Sequence, residues 1–237
     1  MPHFPFQRLQ ADLSALIART EAGDRLPSEP DLAKQMGVSR ATLREAMRTF
    51  ETQGLIRRRQ GAGTFVVGQV PVIDAGLEVL ESLETMAHRL GLQISVSDLQ
   101  IEQTSGETDG AGTLGLPPAS RFTRIRRVLR TDNRPVAYLV DTLPEEVLKP
   151  DQLPEAFTGS ILDFLVDRGD PLTSSRAAIS AIGAPADVAK ALEIQRGDVL
   201  LEFIAQLYTS AGRMIDHSAS YFIPGYFHFH VVRRVGS

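Results

Sequence analysis

Cysteine is absent from the 237 residues, which excludes disulfides and thiolate chemistry and leaves the redox compartment undecided. Long apolar runs are missing too. No stretch approaches the ~18 residues of a membrane span, and the opening MPHFPFQRLQ lacks the apolar centre of a leader, so no membrane partner and a cytoplasmic location are expected. Charge of one sign is scarce: a net charge of −4 argues against a chain that grips nucleic acid throughout. The five histidines show no metal-ligand spacing. His228 and His230 alternate on one strand with no third partner nearby in sequence, so neither a metal nor a cofactor is expected.

What is present is ordinary for a chain that buries a core, with 43% hydrophobic and 23% charged residues. The length suits one large domain or a small one plus a medium one. The charge is unevenly divided. Residues 1–70 hold ten basic and seven acidic side chains (net +3), leaving fifteen and twenty-two (net −7) for the remainder. A basic reading head on an acidic body is the expectation.

The stretch 26–67 carries the clearest pattern. Ser28 is placed to N-cap a helix over 29–36, with Asp31 at the third position of a capping box and Pro30 in the first turn. Gly37 ends it, and Ser39 caps a second helix over 40–53, closed by Gly54. Two helices joined by so short a turn form a helix-turn-helix, whose second helix reads a DNA major groove. Leu43, Ala46, Met47 and Phe50 recur at i, i+3, i+4, i+7 and should face inward. That leaves Arg40, Thr42, Arg44 and Arg48 outside, where arginine can fork onto guanine and threonine can reach a phosphate or base. Residues 55–59, including Arg58 and Arg59, then Gln60-Gly61-Ala62-Gly63, then Thr64-Phe65-Val66-Val67, read as strand, turn and strand. This is a wing whose glycines let the backbone approach a minor groove. Ahead of it, Leu9, Leu13, Leu16 and Ile17 mark a supporting helix over 7–22, ended by Gly23.

These residues resemble the winged-helix domain of GntR-family transcription regulators. The match runs through Leu26-Pro27-Ser28-Glu29, through Gly37-Val38-Ser39-Arg40-x-Thr42-Leu43-Arg44-Glu45-Ala46, through Gly54-Leu55-Ile56, and through Gly61-x-Gly63-Thr64-Phe65-Val66. The resemblance implies homodimers on short palindromic operators of double-stranded DNA, with Arg40, Thr42 and Arg44 near bases and phosphates and Gly61 at the wing tip. It brings Ser28, Glu29 and Ser39 into the DNA-facing set, beside Arg48, Arg58, Arg59, Gln60, Gly63 and Thr64. Pro30 departs from the family, which often has arginine there, so one DNA contact is expected to be lost.

Residues 1–68 are thus taken as the DNA-binding domain. Residues 69–92 form a linker and connecting helix, with Gly68-Gln69-Val70-Pro71 turn-like and 76–90 amphipathic on Leu77, Leu80, Leu83, Ala87 and Leu90. Residues 93–237 then switch to strand periods. Strands are expected at 94–101, at 121–131 with a slip at Ile125, and at 135–143 after a turn at Asp132-Asn133-Arg134. Further strands are expected at 173–182, 199–209, 213–223 and 226–234, with helices at 108–116, after Ser160, and at 185–192. The pattern repeats at an offset near eighty residues. The expected fold class is therefore α+β: a winged helix-turn-helix followed by a pseudo-twofold antiparallel sheet with helices on one side and a cleft between halves.

This second part is similar to the UTRA effector domain of HutC-type GntR regulators, a fold shared with chorismate lyase. The supporting residues include Arg124-x-Arg126-Arg127, Asp132-x-Arg134-Pro135, Gly159-Ser160-Ile161, Tyr208, Gly212 and Asp216-His217-Ser218-Ala219-Ser220-Tyr221-Phe222. The resemblance implies a small effector, often anionic, in the cleft. By position Arg127 would be the anion-binding cation and Ser160 a helix N-terminus facing it. Ser175 and Arg176 would lie on the neighbouring strand, with Asp216 accepting ligand hydroxyls near Ser218. Tyr221 or Phe222 would wall the pocket, depending on register. Read without the family, Ser160 is equally a plain cap, and Arg124, Arg126, Arg127 and Arg130 equally a solvated strand face. Leu129 and Leu139 stand where sugar-phosphate-binding members tend to carry arginine and glutamate, which points to a more apolar ligand or to one bound by fewer hydrogen bonds, an aromatic or short aliphatic carboxylate included. The expected function is a transcription regulator, a repressor under metabolite control, rather than an enzyme; Asp216 with Arg127 is the one acid–base pair available, and a constitutive DNA binder is the other alternative.

Overall fold

Helix caps and glycines fix the first unit. The computed structural model describes residues 5–67, 73–105, 120–155, 157 and 159–233, and the expected linker at 68–71 and helix at 108–116 lie outside them. Helix α1 spans Pro5–Arg19, α2 Glu29–Gln35 and α3 Arg40–Thr52. The Ser28 hydroxyl accepts from Asp31 N at 3.4 Å and also bonds the Asp31 carboxylate, so Asp31 closes the cap through the hydroxyl. Ser39 Oγ accepts from Thr42 N at 3.1 Å. Both contacts satisfy backbone donors that a helix start leaves open. The inward faces meet in one core of Leu13, Leu26, Leu32, Leu43, Ala46, Met47 and Ile56, all nearly inaccessible to water. Each large aliphatic side chain there contributes roughly 1.5–3 kcal/mol.

The wing follows. Strands β1 (Ile56–Arg59) and β2 (Gly63–Val66) pair antiparallel from Ile56 opposite Val66 to Arg59 opposite Gly63. Gly61 takes φ +75 at the tip, a left-handed value that an L side chain resists. The chain before α2 reinforces the hairpin: Leu26 N donates to Thr64 O and Val66 N to Asp24 O, both at 2.8 Å.

The second unit is built on one six-stranded antiparallel sheet. Its strands are β4 (Ser95–Ser105), β5 (Arg121–Thr131), β6 (Arg134–Pro144), β7 (Leu172–Gly183), β8 (Val199–Thr209) and β9 (Met214–Phe222), in the order β4-β5-β6-β9-β8-β7. That order is two three-stranded halves joined at β6–β9, the twofold repeat expected from the sequence. Asp132 and Asn133 both take positive φ, +47 and +62, as a tight two-residue hairpin turn demands. Helix α5 (Ile161–Arg168) is capped by Ser160 and packs Ile161 and Leu165 into a core with Ile125, Leu143, Leu207 and Ile215.

Four expectations change. Helix α4 covers only Leu83–Arg89, because β3 (Ile73–Gly76) and an irregular stretch take the first half of the expected 76–90 helix. Ser82 sets the true start: its hydroxyl accepts from Thr85 N at 2.9 Å and donates to Asp163 Oδ2 at 2.6 Å. The slip expected at Ile125 sits instead between Leu129 and Arg130 against β6. The final strand β10 is Phe227–His230, shorter than expected. Helices are not confined to one side, since α6 (Ala186–Ala191) borders a groove with Arg126 and Tyr138, on the face opposite Arg127.

Candidate functional site

In the first unit α3 carries most of the side chains expected to face DNA. Arg40, Thr42 and Arg44 are exposed on its first turns, and Thr42 Oγ1 lies 2.8 Å from Ser39 Oγ. Arg44 Nε lies 3.6 Å and Arg58 Nε 3.5 Å from opposite oxygens of Glu29. A carboxylate repels phosphate, and Glu29, expected to face DNA, is engaged by these two arginines instead. Arg48 pairs with Glu45 at 2.9 Å. Arg57, Arg59, Gln60 and Gly61 are exposed along the wing, with Arg59 5.2 Å above the Phe65 ring. Gly63 sits at the start of β2. Thr64 departs from expectation: it is buried, and its carbonyl is taken by Leu26, so its side chain does not present to a ligand. Arg57 is an exposed cation on the wing that sequence reasoning had not selected.

In the second unit a cavity of about 530 Å³ lies on one face of the sheet, within the range of small-molecule sites, roughly 300–1,000 Å³. Alternate residues of each strand reach that face. On β9 they are Asp216, Ser218, Ser220 and Phe222, on β6 Leu139 and Asp141, and on β8 Phe203, Ala205 and Leu207. The register sets them side by side, with Asp141 opposite Ser218 and Phe203 opposite Ser220. The stretch 76–84 closes another side, so Leu77 and Leu80, spaced like a helix stripe, are cavity wall. Ser160 both caps α5 and lines the cavity.

Charge is concentrated at one end. Arg127 is buried, pairs with Asp141, and lies 3.5 Å from Glu84 Oε1. Asp216 is buried beside them and accepts from Thr142 N at 3.2 Å. Burial pushes the Asp216 carboxyl well above the ordinary range, and the neighbouring Asp141 charge adds to this. Burial likewise raises Glu84, against the pull of Arg127. Groups raised in the folded state stabilise it at low pH, and that stability is lost as pH rises through the folded value. Thermal midpoints should therefore fall as pH rises above the ordinary carboxylate range, and Asp216→Asn should flatten that slope. A slope unchanged in the variant would refute the assignment.

Of the residues expected around the effector, Arg127, Ser160, Ser175, Asp216, Ser218 and Phe222 line this cavity. Arg176 and Tyr221 do not. Arg176 pairs with Gln206, one residue off the lining positions, and Tyr221 stacks on Tyr138 at 6.2 Å on the other face. Arg127 is not an open anion site, since two carboxylates already flank it. The lining residues that sequence reasoning missed are Glu84, Asp141, Phe203 and Phe229. Asp141 carries a signal, a lone acid inside the apolar run VAYLVDTLP; Glu84 carries none. Away from the cavity, His230 Nδ1 lies 3.0 Å from Asp74 Oδ1, a carboxylate neighbour that its own strand does not advertise.

Comparison with known proteins follows these two surfaces. The sequence profile of the UTRA domain matches residues 89–228, and that of the bacterial regulatory proteins of the gntR family matches residues 6–66. The chain is 32% identical over 203 residues to the HTH-type transcriptional regulator Rv0792c of Mycobacterium tuberculosis, covering 84% of this chain and 73% of that protein. It is 27% identical to the HTH-type transcriptional repressor NagR of Bacillus subtilis, covering 82% and 79%. It is 28% identical to the histidine utilization repressor of Pseudomonas putida, covering 85% and 79%. Among solved structures, PhnF from Mycobacterium smegmatis shares the fold, with a TM-score of 0.65 at 23% identity over 96% of this chain and all of that one.

Proposed function

This chain belongs to the gntR family of bacterial regulatory proteins and carries a UTRA domain, and from that premise we propose how its two units divide the work. The chain is a DNA-binding transcription regulator and not an enzyme, and repression under the control of a small molecule is its function. In the proposed division, Arg40, Thr42 and Arg44 of α3 read base edges and phosphates in the major groove. The wing from Arg57 to Gly61 follows the backbone into the neighbouring minor groove. The effector occupies the cavity between Arg127, Asp216 and Phe203. Two copies bind a palindromic operator with half-sites about 34 Å apart, and the effector favours an arrangement that does not match that spacing.

The observation that carries this reading is one chain holding both an exposed, capped basic helix and a walled cavity in a separate unit. A coupling of ~1–3 kcal/mol between the two sites changes operator occupancy 5- to 150-fold. The test is a mobility shift on DNA upstream of the gene, with and without a deproteinised low-mass cell extract. The wild-type chain should be released by the extract. Ser218→Trp, whose indole fills the cavity, should bind the same DNA and ignore the extract. Sequence-independent binding, or release of the Trp variant like the wild type, would overturn the proposal.

A further inference from the structure

The cavity, whose role as effector site rests on the reading above, is charged the wrong way for an anion. Its lining among the described residues includes five carboxylates, of which Glu81 is paired with Arg89 and Glu78 accepts from Val232 N, leaving Glu84, Asp141 and Asp216 around one cation, Arg127. That cation is already engaged by Asp141 and approached by Glu84. A carboxylate or phosphate entering here would have to displace Asp141 from the guanidinium and then lie beside two more buried acids. A buried charge is tolerated only when paired, and no second cation lines the cavity among the described residues. Glu84 Oε1 and Arg127 Nε face each other at 3.5 Å, both buried without a hydrogen bond, so Glu84 keeps an acceptor that a donor from a ligand can satisfy.

The opposite end is aromatic. Phe203 and Phe229 stand 4.5 Å apart between ring centroids, and each lies 5.0 Å from Phe222. All three line the cavity. Ladder spacing separates the two ends. Phe203 lies one strand and two same-face steps from Asp216, on the order of 14 Å between backbones.

We propose that the effector is a primary amine bound as its ammonium ion, its N–H groups donated to Glu84 and Asp216 and its apolar body, a ring with a short alkyl arm, seated on Phe203, Phe222 and Phe229. Three donors on one compact cation suit acids converging from different elements. A ring with about four methylenes spans the distance between the charged and aromatic ends.

The test uses the full chain and three probes of one shape and different charge: 4-phenylbutylamine, 4-phenylbutan-1-ol and 4-phenylbutyrate. By calorimetric titration at neutral pH the amine should bind at least ~10-fold more tightly than either of the others. Its affinity should rise with pH above the ordinary carboxylate range, because Asp216 and Glu84, both raised by burial, release protons to meet it. The groups facing these two acids are Arg127 of β5, Asp141 of β6 and Asp163 of α5, and only Arg127 opposes a cation. Asp216→Asn keeps the shape of the site and should lower the amine-to-alcohol ratio severalfold; Glu84→Gln should do the same. Equal or tighter binding of the alcohol or the butyrate, no binding of any probe, or an affinity that falls with pH would overturn the proposal. These outcomes are separate from the DNA-release assay. The amine can bind a cavity that does not control DNA, and Ser218→Trp can abolish release whatever the charge of the effector.

Discussion

Arg40→Ala with Arg44→Ala abolishes specific operator capture while leaving the fold intact. Both side chains are exposed on the first two turns of α3, and neither belongs to the core of Leu43, Ala46, Met47 and Phe50. The helix start is held by Ser39, whose hydroxyl bonds Thr42 N independently of either arginine. Each bidentate arginine–guanine contact discriminates by ~1–3 kcal/mol, so losing two costs roughly 30-fold to 10⁴-fold in specific affinity. The thermal midpoint should stay within about 2 °C of wild type, since surface changes usually alter stability by less than ~0.5 kcal/mol. Mobility shift against operator and scrambled duplexes reads the first quantity and far-UV melting the second. An operator still preferred by the double variant would remove α3 from the reading role. Single Glu29→Gln is a graded companion. It releases Arg44 and Arg58 from their shared anchor and should weaken capture by less than either arginine loss.

Asp141→Ala should be the most damaging single change in the second unit. It strips the buried Arg127 of the carboxylate that pairs with it directly, leaving Glu84 at 3.5 Å as the nearest partner. Breaking a buried pair from one side costs about 3–5 kcal/mol, because the remaining charge is still dehydrated. At this chain length that lowers the midpoint by on the order of 10 °C. The double change Asp141→Leu with Arg127→Met should recover much of that loss, since neither charge then remains to be matched. Recovery will be incomplete, because Glu84 and Asp216 lose the Arg127 guanidinium and must hold protons instead, a burden that grows with pH. Urea titrations of wild type, both singles and the double measure the coupling. Additive losses would mean that Arg127 and Asp141 stabilise the unit separately.

Local chemistry made the first unit legible. Ser28, Ser39, Gly37 and Gly54 mark where helices begin and end through contacts made within a few residues, and the sequence pattern registers such contacts directly. The same holds for the Asp132-Asn133 hairpin and for Ser160 at the start of α5. The duplicated strand order of the sheet was also readable, because two halves of one chain repeat the same period. The shortened α4 was not readable. Leu77, Leu80 and Leu83 have helical spacing, yet the helix starts at Ser82, whose hydroxyl is fixed by Asp163 eighty-one residues away. Leu77 and Leu80 wall a cavity instead. Arg176 and Tyr221 failed as site residues for a related reason: a strand sends neighbours to opposite faces, and only the pairing of β7 with β8 and of β9 with β6 and β8 settles which face each receives. The pairing of Arg127 with Asp141 joins β5 to β6 diagonally across the ladder, two positions off the direct Arg127–Leu139 register. Nothing nearby in the sequence encodes that choice.

Phe222 and Phe229 lie on either side of a short excursion. The chain leaves the sheet unit after Ile223, contributes Pro224–His228 to the unit that contains α3, and returns at Phe229. Within that excursion Gly225, at φ +101, comes so near the end of α3 that a methyl group there would stand 3.0 Å from Gln53 O. Any side chain at position 225 would thus be opposed twice, by the left-handed φ and by the Gln53 backbone.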